Sequence, residues 1–535
     1  MKEITLRDQN KNIFFRKERN VFWIFLSLYL LLGLTFVFLG RFFTDENWYF
    51  GDSWLVANGM LPYQDFSVHH NPIFFYVYAL PQYFFGPDMI VGRLTSLLLA
   101  MLLFVLVWRL SRKLGGKTAA LIASVLLIAN LYIIFYFTTV TYRVLEASLM
   151  LVFFAILFSS LKNSIKYPLT TFVLCLVVGV RYPVGFMAIL LVLYLVYVAY
   201  RNRRNKLIIL SSLSTAVLTL GVIMLPFVVL AKDQFFFGTI TFPFNRMGFE
   251  REFEIIGQTG IFQRVLQVLV TLFGVVRNFL APITILLGLA IYIVSRIWQR
   301  KVKIKDLIRE NQPMVFLLAF VILFEAFSTL APVTAPSFRS FTFPVVAVIA
   351  GVALAKVLTH IKDRNATLLL YSLIIALIVL SPVIQDRESR PALPWDKSDV
   401  GIVLEVGGKV KALTHDSDKI FTFDTAFAVQ AGRRVLPGME LELYSFYPTW
   451  ETAKCEKYKL LNLSMLLNYL STKEAGAVVL SEGRFFSNRG LSIILDKYRP
   501  KILEVLDENY YLAQKISYPP KSYFGDVYIY LPRQE

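Results

Sequence analysis

Long apolar runs separated by shorter polar segments dominate the first 384 residues. A helix needs about 20 mostly apolar residues to cross a bilayer. The runs predict eleven spanning helices, near residues 21–40, 89–108, 118–138, 145–161, 168–181, 183–200, 207–230, 278–297, 313–330, 340–358 and 366–384. The expected fold class is therefore a polytopic α-helical membrane protein.

Basic residues between these runs predict how the chain is oriented. They concentrate in alternate segments, including "RLSRKLGGK", "RNRRNK" and "RIWQRKVKIKDLIR". Because short loops rich in Lys and Arg stay on the cytoplasmic side, the N-terminus is expected in the cytoplasm and residues 385–535 outside the plasma membrane. The basic N-terminal segment leads into residues 21–40 with no small-residue cleavage site, which indicates a retained helix and not a signal peptide.

Two outer segments are long enough to carry function, residues 41–88 and residues 231–265. The first contains "PIFFYVYALPQYFF", which is too short for a span and predicts an interfacial or re-entrant helix. Long loops at a rigid scaffold are often functional. Residues 1–384 are therefore expected to form a membrane domain whose chemistry faces outward.

Residues 385–535 are predicted to form an extracytoplasmic α/β domain. "GIVLEVGGKVKALT" and "AFAVQAGRR" have helical periodicity, whereas "KIFTFD", "AGAVVLSE", "YYLAQKISYP" and "DVYIYLPR" indicate strands. The segment has no Gly-rich phosphate loop, metal-ligand spacing or nucleophile motif. We expect it to cover the substrate or to bind a partner.

Composition supports the membrane class and removes a rival. Hydrophobic residues make up 56% of the chain and aromatic residues 15%. The formal charge is +18, but residues 385–535 hold 20 basic and 20 acidic residues, so the whole excess lies in the membrane part. Orientation of the helices explains that excess, and no nucleic-acid partner is expected. Two cysteines, Cys175 and Cys455, are too few for a disulfide framework or a thiolate metal site.

Asp45 and Glu46 follow the first predicted helix by about five residues, where headgroups meet water. A partly desolvated carboxylate there is a usable general base, although acidic residues also simply solvate outer loops. The adjacent His69 and His70 point in opposite directions on an extended chain, which argues against a dedicated zinc site. No obligate metal is expected, and a divalent cation held by the two carboxylates and water stays open.

Three arginines lie at predicted outer helix ends, Arg143, Arg181 and Arg339. A guanidinium suits bidentate contact with phosphate, but it also snorkels to lipid headgroups. Glu146 stands near Arg143 and is expected either to bind substrate hydroxyls or to form a plain ion pair. Glu325 lies within an apolar helix, where an ionisable side chain costs about 2.5 kcal/mol or more, so it is expected to line a cavity.

The spacing from "DE" through "ANGMLPYQDF" to "HHNP", followed by the aromatic segment and "GPDMIVGRLTS", resembles the GT-C superfamily of membrane glycosyltransferases. More narrowly it resembles glycosyltransferase family 39, the protein O-mannosyltransferases and lipid A aminoarabinose transferases. "APSFRSFTFPVVAVIAG" is similar to the start of a late helix in these proteins. "IFTFDTAFAVQAGRRVLPGM" looks like the extracytoplasmic domain that many of them carry.

The resemblance implies an inverting transfer of a sugar from a polyprenyl-phosphate donor to a protein, glycan or lipid acceptor. Asp45 occupies the position that matches the family's base, with Glu46 beside it, and Arg339 matches the family's pattern at the start of that late helix. His70 stands where close relatives often have Lys, so it is expected to contact the donor phosphate with less charge. The resemblance also makes Asp65 and His69 candidates for binding substrate, and the family is not thought to require metal.

Two other classes remain as alternatives, a transporter or flippase of lipid-linked sugars and a noncatalytic membrane subunit. Transporters usually have broken helices at the midplane in two repeated halves. Here the polar residues gather on one predicted face of the membrane, which favours surface chemistry.

Overall fold

The computed structural model describes residues 2–201, 206–244, 261–298, 311–330, 335–360, 364–386, 390–391, 397–487, 493–519 and 522–534. The helices before residue 385 are α1 (Lys2–Leu39), α2 (Glu46–Ala57), α3 (Ile73–Phe85), α4 (Met89–Ile128), α5 (Leu131–Thr138), α6 (Tyr142–Leu157), α7 (Asn163–Val180), α8 (Phe186–Arg201), α9 (Lys206–Leu230), α10 (Lys232–Phe236), α11 (Ile261–Asn278), α12 (Leu280–Trp298), α13 (Gln312–Leu330), α14 (Phe343–His360) and α15 (Arg364–Ile384). Residues 245–260 of the predicted loop 231–265 lie outside the described residues.

Apolar helices of membrane-spanning length are present. Within the described ranges, four helices are long and apolar enough to cross a bilayer, or six if each of two bent helix pairs is one span. The bent pairs are α5 with α6, at 103°, and α11 with α12, at 90°. Five shorter apolar helices accompany them: α3, α8, α13, α14 and α15. The helical membrane class is thus confirmed, while the count of eleven spans stays a prediction.

The range of α4 covers parts of two predicted spans. We predicted spans at 89–108 and 118–138, separated by a loop. Between Met89 and Ile128 two helical halves meet at Gly116, whose φ of +79° and ψ of −168° are not helical. This break lies in the polar stretch that was predicted to separate the two spans, and its positive φ favours glycine. The second helical half ends at Ile128, short of the predicted residue 138, and α5 begins at Leu131.

The helix predicted within the first outer loop is present as α3, and α2 before it was not predicted. A proline inside α3, Pro81, is tolerated near its end. Gly86 then ends α3 with a positive φ of +85°, a conformation that favours glycine.

The C-terminal segment contains a mixed five-stranded sheet in the order β2-β1-β3-β5-β4. Its strands are β1 (Lys419–Phe421), β2 (Arg434–Val435), β3 (Ala475–Ser481), β4 (Tyr510–Ile516) and β5 (Val527–Pro532). Strand β1 pairs in parallel with β2 and β3, whereas β5 is antiparallel to β3 and β4. The helices around it are α16 (Asp399–Leu413), α17 (Thr425–Gln430), α18 (Thr452–Tyr458), α19 (Leu463–Ser471), α20 (Ile493–Asp496) and α21 (Arg499–Asn509).

One hydrophobic core joins the first outer loop to the C-terminal segment. Tyr49 and Phe66 of the loop are fully buried in the same cluster as Ile402, Phe427 and Ile529. A second core lies among the apolar helices α4, α6 and α14. Because burial of apolar surface drives association, the loop and the C-terminal segment are packed as one unit.

Candidate active site

Asp45 lies at the N-terminal end of α2, at the junction of the loop, the apolar helices and the C-terminal segment. It is the N-cap residue of the helix, but its side chain makes no capping hydrogen bond. The side chain is half-buried. Its carboxylate interacts electrostatically with Tyr49 and Arg143. A carboxylate in this condition is available for chemistry.

Glu46, the neighbouring acid, has its side chain fully occupied. Arg93 donates from Nε to Oε1 at 2.9 Å and from Nη2 to Oε2 at 2.6 Å, and both side chains are completely buried. The backbone N–H of Val140 also donates to Oε1, at 2.8 Å. A buried bidentate pair of this kind fixes geometry, so the carboxylate of Glu46 is committed to holding α2 against α4.

Aromatic rings surround His70. The hydroxyl of Tyr49 lies 2.5 Å from its Nε2, and the hydroxyl of Tyr63 donates to its backbone carbonyl at 2.5 Å. The rings of Trp48 and Tyr142 lie 5.4 and 5.1 Å from the imidazole. Burial raises the pKa of the Tyr49 hydroxyl well above its ordinary value, because water no longer solvates the phenolate. Tyr49 therefore remains a neutral hydrogen-bonding partner of His70.

Arg143 is a buried cation at the sharp bend between α5 and α6. Its guanidinium carbon lies 4.5 Å from the ring centroid of Phe43 and 4.6 Å from that of Tyr136. Nη2 contacts the Ser337 hydroxyl at 3.4 Å. Its Nε and Nη1 make no hydrogen bond to any part of the chain that the structure describes. Cation–π contacts stabilise the charge while two donors stay available.

Arg181 and Glu146 complete the charged side of the site. Arg181 is the C-cap residue of α7, and its guanidinium carbon lies 4.7 Å from the ring of Tyr142 and 5.1 Å from that of Phe338. Glu146 is fully buried and interacts electrostatically with Arg181 and Arg143. Neither of its carboxylate oxygens accepts a hydrogen bond from the described residues. Glu146 therefore attracts both guanidinium groups without a hydrogen-bonded pair among the described residues, and its carboxylate can accept hydrogen bonds from a ligand.

Arg339 and Glu325 form an ion pair beside the site. The Arg339 Nε lies 2.9 Å from Glu325 Oε2, and Arg339 is almost completely buried. Both residues line a cavity of about 660 Å³. The other lining residues are mostly apolar: Leu272, Val275, Phe279, Ile283, Leu286, Val321, Ala326, Thr342, Phe343 and Val346. Ser337 and Phe338, which contact the other two arginines, precede Arg339 directly, so the cavity adjoins the site.

The remaining two candidates, Asp65 and His69, contact neighbouring parts of the chain. Asp65 is exposed, and its Oδ2 accepts from the Leu61 N–H at 2.7 Å, closing a turn. The His69 ring is buried and stacked on Phe242, with centroids 3.5 Å apart. It thus faces away from His70, as its place on an extended chain predicts.

Several residues of the site were not identified from the sequence. Tyr49 and Tyr142 were missed because aromatic residues are common throughout this chain. Arg93 carried a usable signal, since an arginine inside an apolar helix usually has a buried partner. Glu442 interacts electrostatically with Asp45 from the C-terminal segment, and no local pattern connects residues so far apart.

No group of three or more His, Cys, Asp or Glu residues is placed to hold a metal ion in the described part of the chain. Because Arg93 and the Val140 N–H occupy Glu46, a cation held jointly by Asp45 and Glu46 would have to compete with those contacts. Whether the reaction uses a metal ion therefore stays a prediction.

Comparison with known proteins identifies the fold. Residues 69–229 match the family model described as dolichyl-phosphate-mannose-protein mannosyltransferase. No curated protein sequence matches the chain significantly. Among solved structures, ArnT from Cupriavidus metallidurans bound to undecaprenyl phosphate is 14% identical, with a TM-score of 0.59, and the match covers 95% of this chain and 97% of that chain.

Two further structures agree. ArnT from Cupriavidus metallidurans in the apo state is 12% identical, with a TM-score of 0.58 and the same coverage. The apo oligosaccharyltransferase of Archaeoglobus fulgidus is 14% identical, with a TM-score of 0.52, over 96% of this chain and 74% of that one. The expected resemblance to GT-C membrane glycosyltransferases is thereby confirmed at the level of the fold.

Proposed function

We propose that this chain is a membrane glycosyltransferase that moves a hexosyl or pentosyl group from a polyprenyl-phosphate donor to a hydroxyl acceptor on a protein, glycan or lipid. Asp45 is the proposed general base. The observation that carries the proposal is that the carboxylate of Asp45 interacts with the buried Arg143, while the half-buried Arg181 shares the ring of Tyr142 with Arg143, next to an apolar cavity.

The proposed reaction is a single displacement with inversion at the anomeric carbon. Asp45 removes the proton from the acceptor hydroxyl as its oxygen bonds to the anomeric carbon. The bond from that carbon to the phosphate oxygen breaks, and polyprenyl phosphate leaves with both electrons. Because the leaving phosphate gains negative charge, positive groups aimed at it lower the barrier. Arg143 and Arg181 supply that charge, and His70 donates a hydrogen bond from its ring N–H.

The lipid part of the donor needs an apolar site. The cavity of about 660 Å³ offers apolar walls, and Arg339 in its lining directly follows Ser337 and Phe338, which contact Arg143 and Arg181. The ArnT structure bound to undecaprenyl phosphate and the mannosyltransferase family model both support a polyprenyl-phosphate donor. We assign the isoprenoid chain to this cavity and the phosphate to the three arginines.

The other candidates receive lesser roles. Glu146, buried with both oxygens available, is proposed to bind hydroxyls of the sugar. Glu325 holds Arg339, Glu46 holds Arg93, and Asp65 and His69 shape the loop beneath the substrate. No obligate metal is proposed.

The proposal includes a placement in the membrane. The N-terminus is cytoplasmic, about eleven spans cross the plasma membrane, and the catalytic junction and the C-terminal α/β segment lie on the outer face. Polyprenyl-linked sugars and acceptor would then meet at that face. Charge bias in the inner loops supports this orientation.

The direct test is to trap the donor by replacing Asp45 with Asn, which keeps the side-chain shape and removes the base. Lipids that copurify with wild-type and Asp45→Asn protein would be identified by mass spectrometry. We expect sugar-loaded polyprenyl phosphate to be enriched at least about tenfold in the variant, since loss of a general base slows transfer by about 100-fold or more. Wild-type protein should carry mostly the sugar-free lipid.

Asp88→Asn is the matched control. Asp88 lies in the same loop and accepts from the Ile90 N–H as the N-cap residue of α4, a role that Asn also performs. The control should carry lipids as the wild type does. Absence of any polyprenyl phosphate from both proteins, or an equal loaded fraction in wild type and Asp45→Asn, would overturn the proposal.

A further inference from the structure

We propose that the C-terminal segment positions the catalytic base, because a buried cluster centred on Arg484 holds in place the turn that carries Asp45. The Arg484 cluster consists of Asp424, Glu442, Ser481, Arg484 and Tyr523. These are positioning residues, which act through the turn and not on the substrate. The inference rests on the proposed role of Asp45 as the base.

The cluster is internally bonded and buried. Arg484 donates from Nη2 to Glu442 Oε2, and its Nε lies 3.9 Å from Asp424 Oδ1. The Ser481 hydroxyl donates to Asp424 Oδ2 at 2.5 Å. Asp424 and Glu442 are each 1% exposed, so neither carboxyl is hydrated. The guanidinium carbon of Arg484 lies 5.8 Å from the ring centroid of Tyr523, so the ring packs beside the charge as part of the cluster.

The backbone at Glu442 supports a specific role. Its φ is +57°, in the left-handed region that a residue with a Cβ adopts at a cost on the order of 1 kcal/mol. Such a conformation persists only where surrounding contacts determine it. Here the hydrogen bond from Arg484 fixes the carboxyl group of Glu442, and this carboxyl group interacts electrostatically with Asp45.

Two hydrogen bonds join the C-terminal segment to residues 42–47. The N–H of Phe42 donates to Asp399 Oδ2 at 2.9 Å, and the N–H of Tyr523 donates to the other oxygen of the same carboxylate at 2.9 Å. The N–H of Ala426 donates to Asn47 Oδ1 at 3.3 Å. Because Phe42 precedes Asp45 and Asn47 follows it, the two bonds lie on both sides of Asp45.

The membrane side of the turn is fixed separately. Arg93 holds Glu46 with two hydrogen bonds, as described above. Asp45 thus lies between a contact from α4 and contacts from the C-terminal segment, while its own carboxylate stays uncommitted. A displacement of about 1 Å at a catalytic group can lower a rate by about 100-fold. Both supports are therefore needed for chemistry.

Electrostatics connect the cluster to the base. Burial raises the pKa of Glu442 well above its ordinary value, and Arg484 opposes that shift. Burial likewise raises the pKa of Asp424 to about 6, against Arg484, Ser481 and Asn47. Asp45 further raises the pKa of Glu442 by like-charge repulsion. Removing Arg484 would leave the buried carboxyl groups of Asp424 and Glu442 without a cation, next to the turn that carries Asp45.

The test compares Arg484→Met, Arg484→Lys and Asn47→Ala in the full chain. Arg484→Met removes the cation at similar volume, whereas Arg484→Lys restores the charge. Asn47→Ala removes the hydrogen bond from Ala426 and the interaction of Asn47 with Asp424, but it leaves Arg484 and both carboxyl groups of the cluster in place. Arg433→Met is the matched control, because Arg433 is equally buried and bonds Asp416 and Thr414 within the same segment.

Two readouts separate positioning from stability. The first is the ratio of sugar-loaded to sugar-free polyprenyl phosphate that copurifies. The second is the affinity for added undecaprenyl phosphate, together with the melting temperature. We expect Arg484→Met and Asn47→Ala to raise the loaded fraction at least about fivefold, with the affinity within about twofold of wild type. Arg484→Lys should recover part of the wild-type ratio, and Arg433→Met should match wild type.

The inference is overturned if Asp45→Asn accumulates the loaded donor but Arg484→Met and Asn47→Ala do not. It is also overturned if Arg433→Met accumulates it equally. If Asp45→Asn itself fails to accumulate the loaded donor, the proposed function fails instead, so the two failures are distinguishable. If Arg484→Met does not fold, Asn47→Ala and Arg484→Lys carry the test.

Discussion

At the residue scale, two acidic residues are buried at the interface between the first outer loop and the C-terminal segment. Their burial favours the protonated, neutral form of each carboxyl group. Asp52 of α2 and Glu440 line the same small cavity, and both are buried. Burial raises the pKa of Asp52 well above its ordinary value, and Glu440 adds to that shift by repulsion. Burial also raises the pKa of Glu440 to about 7. If the carboxyl groups of Asp52 and Glu440 were both ionised, they would repel each other, and no water would screen the repulsion.

This arrangement makes stability depend on pH. The native state keeps a proton on Glu440 up to a pKa of about 7, whereas the unfolded chain releases it near the ordinary value of 4.5. The free energy of unfolding should therefore fall as pH rises from about 4.5 to about 7. The Glu440→Gln side chain stays neutral. Between pH 5 and pH 8 the free energy of unfolding of this variant should therefore fall by on the order of 1–3 kcal/mol less than that of the wild type.

Melting curves of the detergent-purified protein at pH 5 and pH 8 measure this difference. Glu456→Gln, at an exposed position of the same segment, is the control and should melt as the wild type does at both values. A Glu440→Gln protein whose melting temperature changes with pH as much as that of the wild type would contradict the expected release of the proton.

Single residues show how far sequence can identify this site. Asp45 was singled out because an acid close to the end of an apolar helix is informative by position alone. Its neighbour Glu46 has the same local context, and only the fold reveals that Arg93 occupies it. Arg484 could not be identified, because its partners Asp424 and Glu442 are brought to it by sheet topology and not by spacing.

At the element scale, helix ends build the site. Tyr142, Arg143 and Glu146 lie within the first five residues of α6, after the 103° bend from α5, and Arg181 ends α7. Hydropathy predicts apolar runs but not bends, since both halves of a broken helix are equally apolar. Backbone breaks among apolar helices are tolerated where protein or a cavity covers them, and such a break here carries the charged residues.

Gly40, directly after α1, provides a test of the contact between elements. A Cβ at this position would lie 2.1 Å from the Phe36 carbonyl oxygen and 2.7 Å from Arg93 Nη1. Gly40→Ala should therefore displace Arg93 and break its buried pair with Glu46. Breaking such a pair costs about 3–5 kcal/mol. We expect a clear fall in melting temperature and, because α2 then shifts, slower sugar transfer.

Gly221→Ala in α9 is the corresponding control, because no atom lies within 4 Å of the added Cβ. Alanine also favours a helix over glycine. Its melting temperature should equal or exceed that of the wild type. If Gly40→Ala melts like Gly221→Ala, Arg93 does not depend on the close approach of the backbone at residue 40.

At the scale of the whole molecule, the C-terminal segment shares a core with the first outer loop and is bonded to the two helices that flank the loop, α1 and α4. Ser398 donates to the Phe38 carbonyl at 3.0 Å, and the Met89 N–H donates to Gln430 Oε1 at 2.9 Å. Sequence periodicity predicted most strands of the C-terminal segment, because each strand is a local pattern. It did not predict that the core of this segment continues into residues 41–88, since that contact joins positions more than 300 residues apart.

The whole molecule should also respond to its proposed lipid. A ligand that binds only the native state stabilises it by about 2.7 kcal/mol at 100 times its Kd. Added undecaprenyl phosphate should therefore raise the melting temperature of the wild type. Val321→Trp, which fills the cavity lined by Arg339 and Phe343, should abolish that increase. Ile322→Trp, one residue further along α13 and largely exposed, should retain it because Ile322 is not part of the cavity lining. Equal stabilisation of both tryptophan variants would mean that the lipid binds elsewhere. The three arginines would then bind the phosphate of a different ligand.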